Sequence, residues 1–224
     1  GPVGARQELT DDITVTVGDS GDFPTINAAL ESIVSLYYPK YISGGNCPRV
    51  TINLLPGFVM NEQVLIESLD LSWITITGID NETVINRSAL VQNFGGGYFV
   101  ESYPAFAALN GGFLPIIGQL FNMNTLGDGS NRHGVQAHRN SNAIIWRNCG
   151  VKNAGSYGIV ASDNSIISAS NAIASGAGIN GIFASTGSII NAAEVNVSGS
   201  GGHGVYAWGG GIINASSVDA SDTG

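Results

Sequence analysis

The chain has 224 residues, and 32 of them are glycine, about twice the ~7% usual in globular proteins. Charged residues make up only 11%, against a typical ~25%, and the formal net charge is −9. With 43% hydrophobic residues, an acidic balance and no apolar run near the ~20 residues of a membrane span, the chain is not disordered, not a nucleic-acid module and not membrane-inserted.

In chain order, Gly1-Pro2 reads as a scar of proteolytic tag removal, and residues 1–12 as a flexible N-terminus. Residues 13–42 hold a strand and a helix. Ile13 to Val17 alternates as a short strand, closed by Gly18-Asp19-Ser20-Gly21. An amphipathic helix is predicted from about Pro24 to Tyr37, with proline in its first turn, Asp22 near its positive end and Pro39 stopping it. Ile26, Ala29, Leu30, Ile33 and Tyr37 form its apolar stripe.

Short strands then follow at Val50 to Leu54, Val64 to Glu67, Trp73 to Thr77 and Thr83 to Asn86, separated by turn residues such as Pro56-Gly57 and Asp80-Asn81. Residues 93–130 are irregular, with Gly95-Gly96-Gly97, Gly111-Gly112 and Gly127-Asp128-Gly129 around the apolar run Phe113 to Phe121. The stretch 43–130 therefore reads as irregular first coils with loops.

From residue 131 to 224 the sequence repeats. Gly-Val-Gln-Ala (134–137), Gly-Ile-Val-Ala (158–161), Gly-Ile-Phe-Ala (181–184) and Gly-Val-Tyr-Ala (204–207) recur at spacings of 24, 23 and 23. Each precedes an Ile-Ile pair: Ile144-Ile145, Ile166-Ile167, Ile189-Ile190 and Ile212-Ile213. A third apolar stretch follows, clearest at Val195-Asn196-Val197 and matched by Val218. Three strand-sized pieces per period of ~23 residues define a solenoid, and the Leu/Asn consensus of leucine-rich repeats is absent. The fold class read from this is all-β: a right-handed, single-stranded parallel β-helix with an N-terminal capping α-helix.

Stacking equal offsets predicts ladders. Val135, Ile159, Ile182 and Val205, with Ala137, Ala161, Ala184 and Ala207, point inward, so Gln136, Val160, Phe183 and Tyr206 point outward. An outward apolar ladder calls for a cover, and a second copy of the same surface supplies one. Val160, Phe183 and Tyr206 are thus the expected contact face of a homotrimer.

The stretch Val17-Gly18-Asp19-Ser20-Gly21-Asp22-Phe23-Pro24-Thr25-Ile26-Asn27-Ala28-Ala29-Leu30 resembles the opening of the pectinesterase and pectate-lyase-like β-helix proteins. So does Val50 to Gly57 followed by Asn61-Glu62-Gln63-Val64. The resemblance covers residues 13–86 and implies a helix capping a right-handed β-helix. The acidic and arginine motifs of pectinesterase catalysis are missing further on. The low-charge coils and outward apolar ladders look like bacteriophage tail fibres and tailspikes. That resemblance implies a homotrimer in the virion tail that recognises, and in enzymatic cases depolymerises, bacterial capsule or lipopolysaccharide. The alternative is a secreted, monomeric carbohydrate-active enzyme of the same superfamily.

Candidate site residues come from the last coils. If Val195 and Val197 point inward, Glu194 points outward and Asp219 takes the offset of Asn196 one coil on. Their Cα atoms would then lie ~8 Å apart, compatible with the ~6.5–9.5 Å carboxyl spacing of an inverting glycosidase. The competing reading is solvated charge. Trp208 and His203 are candidates for stacking on sugar rings. Arg139 and Arg147, in the basic stretch 131–152, are candidates for attracting an anionic polysaccharide.

No metal and no cofactor are expected. His133 and His203 share an offset three coils apart, ~14 Å, too far to hold one ion. Cys47 and Cys149 read as free thiols. Adding one period to Gly201–Gly204 places glycines at 224 and 227, so the sequence reads as a fragment of a longer fibre.

Overall fold

The computed structural model describes residues 5–40, 47–95, 100–124, 127 and 130–224; Gly1-Pro2, Gly96-Gly97 and Asp128-Gly129 lie outside these. The chain is predominantly β, with one α-helix, and every paired strand among the described residues is parallel. The chain visits three faces in a fixed cyclic order, and each return lays a strand beside the one before.

Face 1 stacks Ile13–Val17, Val50–Leu54, Ile74–Gly78 and Ile116–Gly118. A bridge from Ile117 to Ile145 continues it into Asn142–Ile144, Ile166–Ser168, Ile189–Asn191 and Ile212–Asn214. Face 2 stacks Val59–Met60, Thr83–Ile85, Leu120–Asn122 and Gly150–Lys152, then single bridges at Ile173, Asn196 and Asp219. Face 3 stacks Val64–Glu67, Phe106–Leu109, Val135–His138, Ile159–Ser162, Ile182–Ser185 and Val205–Trp208.

The core runs down the axis of this stack. Val135, Ile159 and Ile182 are fully buried, as are Ala137, Ala161 and Ala184. Val205, the equivalent residue of the last rung, is 36% exposed because no described strand lies over it.

Corners explain the composition. Every turn from face 3 to face 1 in the regular part uses two successive residues with positive φ: Arg139-Asn140, Asp163-Asn164, Thr186-Gly187 and Gly209-Gly210. The face 1 to face 2 corner places Asn148, Asn171, Glu194 and Ser217 in the same conformation, each 23 residues after the last. Asn153, Gly176, Gly199 and Asp222 do so at the third corner. Asparagine, aspartate and glycine tolerate this left-handed region best, so the odd composition follows from three such bends per turn. Other glycines are required by close approach: a Cβ on Gly181 would lie 2.3 Å from Cβ of Val197.

The helix, α1 (Ile26–Leu36), packs Ile26, Ala29, Leu30 and Ile33 into the core beside the first rungs. Its N-cap is Thr25, whose hydroxyl accepts from the amide of Ala28 at 3.1 Å. Three expectations change here. Pro24 lies outside the helix, and Tyr37 leaves it to pair, with Tyr38, against Gln7–Glu8. Asp22 turns away from the helix and accepts from the amide and hydroxyl of Thr16, both at 2.8 Å. The carboxylate at the helix start is instead that of Glu62, which accepts from the amides of Ile26 at 2.6 Å and Asn27 at 3.0 Å. The strand expected at Trp73 to Thr77 begins one residue later, and the run Phe113 to Phe121 divides into strands on faces 1 and 2.

The Ile-Ile pairs are not all equivalent. Asn142-Ala143, not Ile144-Ile145, stand over Ile166-Ile167. Ile145 is buried as the bridge partner of Ile117, which ties the two parts of face 1 together.

Candidate functional site

The outward ladder of face 3 is built in the expected register but is not open. Val160 and Phe183 are fully buried within the single chain, and only Tyr206, at 36%, is accessible. Tyr157, from the preceding corner, stacks on Phe183 at a centroid distance of 5.1 Å. Phe183 stacks in turn on Tyr206 at 5.4 Å, and His203 on Tyr206 at 5.1 Å. His133 continues the column beyond Tyr157, also at 5.1 Å. The exposure that made Val160 and Phe183 an expected contact face is therefore absent: corner residues of neighbouring coils fold over the strand and cover them. The exposed apolar ladder lies on face 1 instead, where Ile166 is 45% and Ile212 is 50% exposed with Ile189 half-buried between them.

Each residue nominated from the sequence has a definite place. Glu194 is exposed, but it occupies a left-handed corner, and its equivalent one coil on is Ser217. Asp219 does pair with Asn196. Its carboxylate accepts from the amide of Ser221 at 3.2 Å and its hydroxyl at 2.9 Å, as the Asn196 side chain accepts from both groups of Ser198. Both carboxylates thus sit in turn positions shared with uncharged residues of other coils. Trp208 is 50% exposed at the end of the last face 3 strand, beside the exposed pair His203 and Tyr206. Arg139 occupies a left-handed corner and Arg147 lies next to Trp146; both are exposed and belong to different corners.

Other features were not anticipated. Ser141, Ser165 and Ser188 form a buried ladder in which the hydroxyls of Ser165 and Ser188 accept from the amides of Ser141 (3.1 Å) and Ser165 (3.0 Å). Its signal was available, since a serine precedes each of these face 1 strands at a constant offset. On the outer side of face 3, His138 is fully buried, with Nδ1 2.6 Å from the Ser162 hydroxyl and 3.2 Å from Asp163 Oδ2. These are the residue types of a hydrolase triad. Serine and aspartate approach the same ring nitrogen, however, so the ring cannot pass a proton from one to the other as a triad requires. Burial holds the His138 pKa below its usual value, opposed by Asp163 and aided by Arg139. Burial pushes His133 down to about 3.

The third feature is a shoulder between faces 2 and 3, where long connections leave the regular path. The Gln63 side-chain amide donates to the carbonyls of Gln92 (3.1 Å) and Pro104 (2.9 Å) and accepts from the amides of Val91 (3.1 Å) and Gln92 (2.7 Å). Asn93 accepts from the amides of Gly95 and Ser102, and Ser102 bonds to Gln136 on the adjacent strand. Residues 91–95 and 102–104 are thereby tied down to the stack. Across face 2, Lys152 pairs with Glu82 at 2.5 Å, and Asn122 donates to the same carboxylate at 2.9 Å. These two hydrogen bonds hold the Glu82 pKa below the usual range.

Cys47 and Cys149 are free thiols, and burial raises the Cys149 pKa. Among the described residues no three histidine, cysteine or acidic side chains gather into a metal-binding group, and no helix is long and apolar enough to cross a membrane. The sequence matches no protein-family model and no curated protein.

Proposed function

We propose that this chain is a segment of a right-handed parallel β-helix from a bacteriophage tail fibre or tailspike, located in the virion tail, that recognises bacterial surface polysaccharide. The cyclic visiting of three parallel faces supports the helical reading, and parallel crossovers are right-handed in about 98% of cases. The observation that carries the function is the pair of half-exposed tryptophans, Trp146 at 47% and Trp208 at 50%, on a scaffold with in-register strands. These indole rings, Trp208 on the last face 3 strand and Trp146 just beyond the face 1 strand Asn142–Ile144, present flat, amphipathic platforms suited to the apolar faces of sugar rings.

The third tryptophan, Trp73, is 7% exposed and out of reach of a surface ligand, so a ligand-induced change in emission reports the other two. Titration with purified capsular polysaccharide or lipopolysaccharide should shift the emission, and Trp146→Ala with Trp208→Ala should remove the response. Absence of binding to either class of polymer would sink this reading. Release of reducing ends decides whether cleavage accompanies recognition, and cleavage unaffected by Glu194→Gln and Asp219→Asn would eliminate those carboxylates. The homotrimer belongs to the same proposal, with its contact face moved to Ile166, Ile189 and Ile212. Light scattering should give three times the 23.0 kDa chain mass.

One observation favours the second reading, a secreted monomeric carbohydrate-active enzyme. Val160 and Phe183 are already covered within one chain, so face 3 needs no partner. A monomer that cleaves polysaccharide would select it.

A further inference from the structure

The connections that break the repeat meet at one place. Successive face 3 strands begin 42 and then 29 residues apart before settling to 24, 23 and 23. The extra residues lie before Phe106 and before Val135, and their described parts line an open surface cleft of about 410 Å³ formed by Leu90, Val91, Glu101, Tyr103, Asn131 and Arg132, with Ser130 at its edge. That volume falls within the ~300–1,000 Å³ of small-molecule sites.

The cleft is held from both sides. The Tyr103 amide donates to the carbonyl of Asn131 at 2.8 Å, and the Ala105 amide to that of His133 at 2.9 Å, so the two walls are joined through their backbones. Arg132 Nε donates to the carbonyl of Arg87 at 3.1 Å, which fixes the plane of the guanidinium. Its two terminal nitrogens make no hydrogen bond or ion pair with any described residue. Across the cleft, Glu101 accepts from the Asn131 side chain at 3.4 Å, and the Tyr103 ring packs half-buried against the core.

We infer that this cleft binds a carboxylate-bearing sugar residue, a hexuronate or similar sugar acid, within a surface glycan. The inference rests on the glycan-binding reading above and assigns it a subsite and a substrate class. An oriented guanidinium with its terminal nitrogens free is the side chain best matched to a carboxylate, through two parallel charge-assisted hydrogen bonds. Glu101 would repel a second acid group and accept from hydroxyls. The Tyr103 hydroxyl and the Asn131 amide are groups of the kind that pair with a sugar ring, whereas the Ser130 hydroxyl already accepts from Arg87 Nη2 at 3.2 Å. A neutral sugar would leave the guanidinium unpaired on binding, and a simple carboxylate would leave the hydroxyl-binding groups unused.

The test is nitrogen-15 NMR of the intact chain, with sodium glucuronate, glucose and sodium acetate titrated separately. The Arg132 Nε–H resonance should respond to glucuronate at a concentration at least tenfold lower than to glucose or acetate. Arg132→Gln should weaken glucuronate binding at least tenfold, and Arg132→Lys, which keeps the charge and loses the fork, by a smaller factor. Tyr103→Phe keeps the core packing and should also weaken it, so the test survives if Arg132→Gln fails to fold. An Arg132 resonance that ignores glucuronate, or answers glucose or acetate equally, overturns the assignment. The indole signals of Trp146 and Trp208 report the broader function separately. If they move with surface polysaccharide while Arg132 ignores glucuronate, the function stands and the subsite falls. If Arg132 answers glucuronate while neither indole answers polysaccharide, the cleft stands and the tryptophan-based reading falls.

Discussion

Residues 131–224 and the described residues between 50 and 130 build the same three faces by different means. In the later region each rung repeats the last at 23 or 24 residues, with serine beneath the corner, left-handed residues at each bend and aromatic rings stacked on face 3. In the earlier region the strands keep their register while the connections lengthen, and polar side chains such as Gln63, Asn93 and Arg132 spend their hydrogen bonds on those connections. The regular region puts its polar groups into the stack itself. The irregular region keeps the stack and uses the surplus chain to build a cleft. Where the connections lengthen, inserted residues bring together side chains that the repeating rungs keep apart, and the cleft is the result.

The largest effect that separates the two regions is expected from Phe183→Ala. It removes a fully buried ring from the column between Tyr157 and Tyr206 and should cost about 3–5 kcal/mol, read as a fall in urea midpoint. Arg132→Gln, in the cleft, should stay within about 1 kcal/mol of the parent by the same measurement. Equal losses would show that the shoulder is as structural as the rungs.

Acidification should come next. His133 and His138 have folded pKa values below the ~6.5 of the unfolded chain, so the unfolded state binds more protons as pH falls. Their contribution is complete above about pH 6.5 and declines below it, by at most about 1.4 kcal/mol per pH unit for each histidine. Replacing both histidines with glutamine should flatten this slope in denaturation curves taken from pH 7 to 4.

Ser165→Ala tests the buried ladder. The amide of Ser141 loses its acceptor away from water, at a cost of about 1–3 kcal/mol, and amide hydrogen exchange should quicken first at Ser141. The smallest effect belongs to the partly exposed pair on face 2. Lys152→Met should lower stability by less than about 1 kcal/mol and raise the Glu82 pKa toward the ordinary carboxylate range, observable by carbon-13 NMR. The sign of that shift follows from removing the hydrogen-bonded cation that favours the charged form.

Much of the scaffold is legible in the sequence. The strands at 13–17, 50–54 and 64–67 carry alternating or apolar runs between turn residues, and the Gly-x-x-Ala motifs mark the face 3 strands. Ile144-Ile145 misled because an apolar pair is a weaker register mark than the glycine before each strand. Counted from Gly134, the position equivalent to Ile166 is Asn142, as observed. Glu62 was invisible as a helix cap because it lies some 35 residues from the amides it serves. The cleft was equally hidden: Glu101 and Asn131 meet only because two insertions of unequal length return to adjacent strands.

Local rules thus determined the period, the inward ladders and the need for glycine and asparagine, since each depends on the pleat or on the sterics of one bend. Only the tertiary structure decided which outward residues stay exposed. Phe183 and Tyr206 occupy the same ladder position, yet one is buried and the other open, because exposure depends on what neighbouring coils lay over a side chain. The carboxylates show the same division: Asp219 answers to Ser221 two residues on, in a local turn, whereas Glu62 answers to helix amides that only the stack brings near.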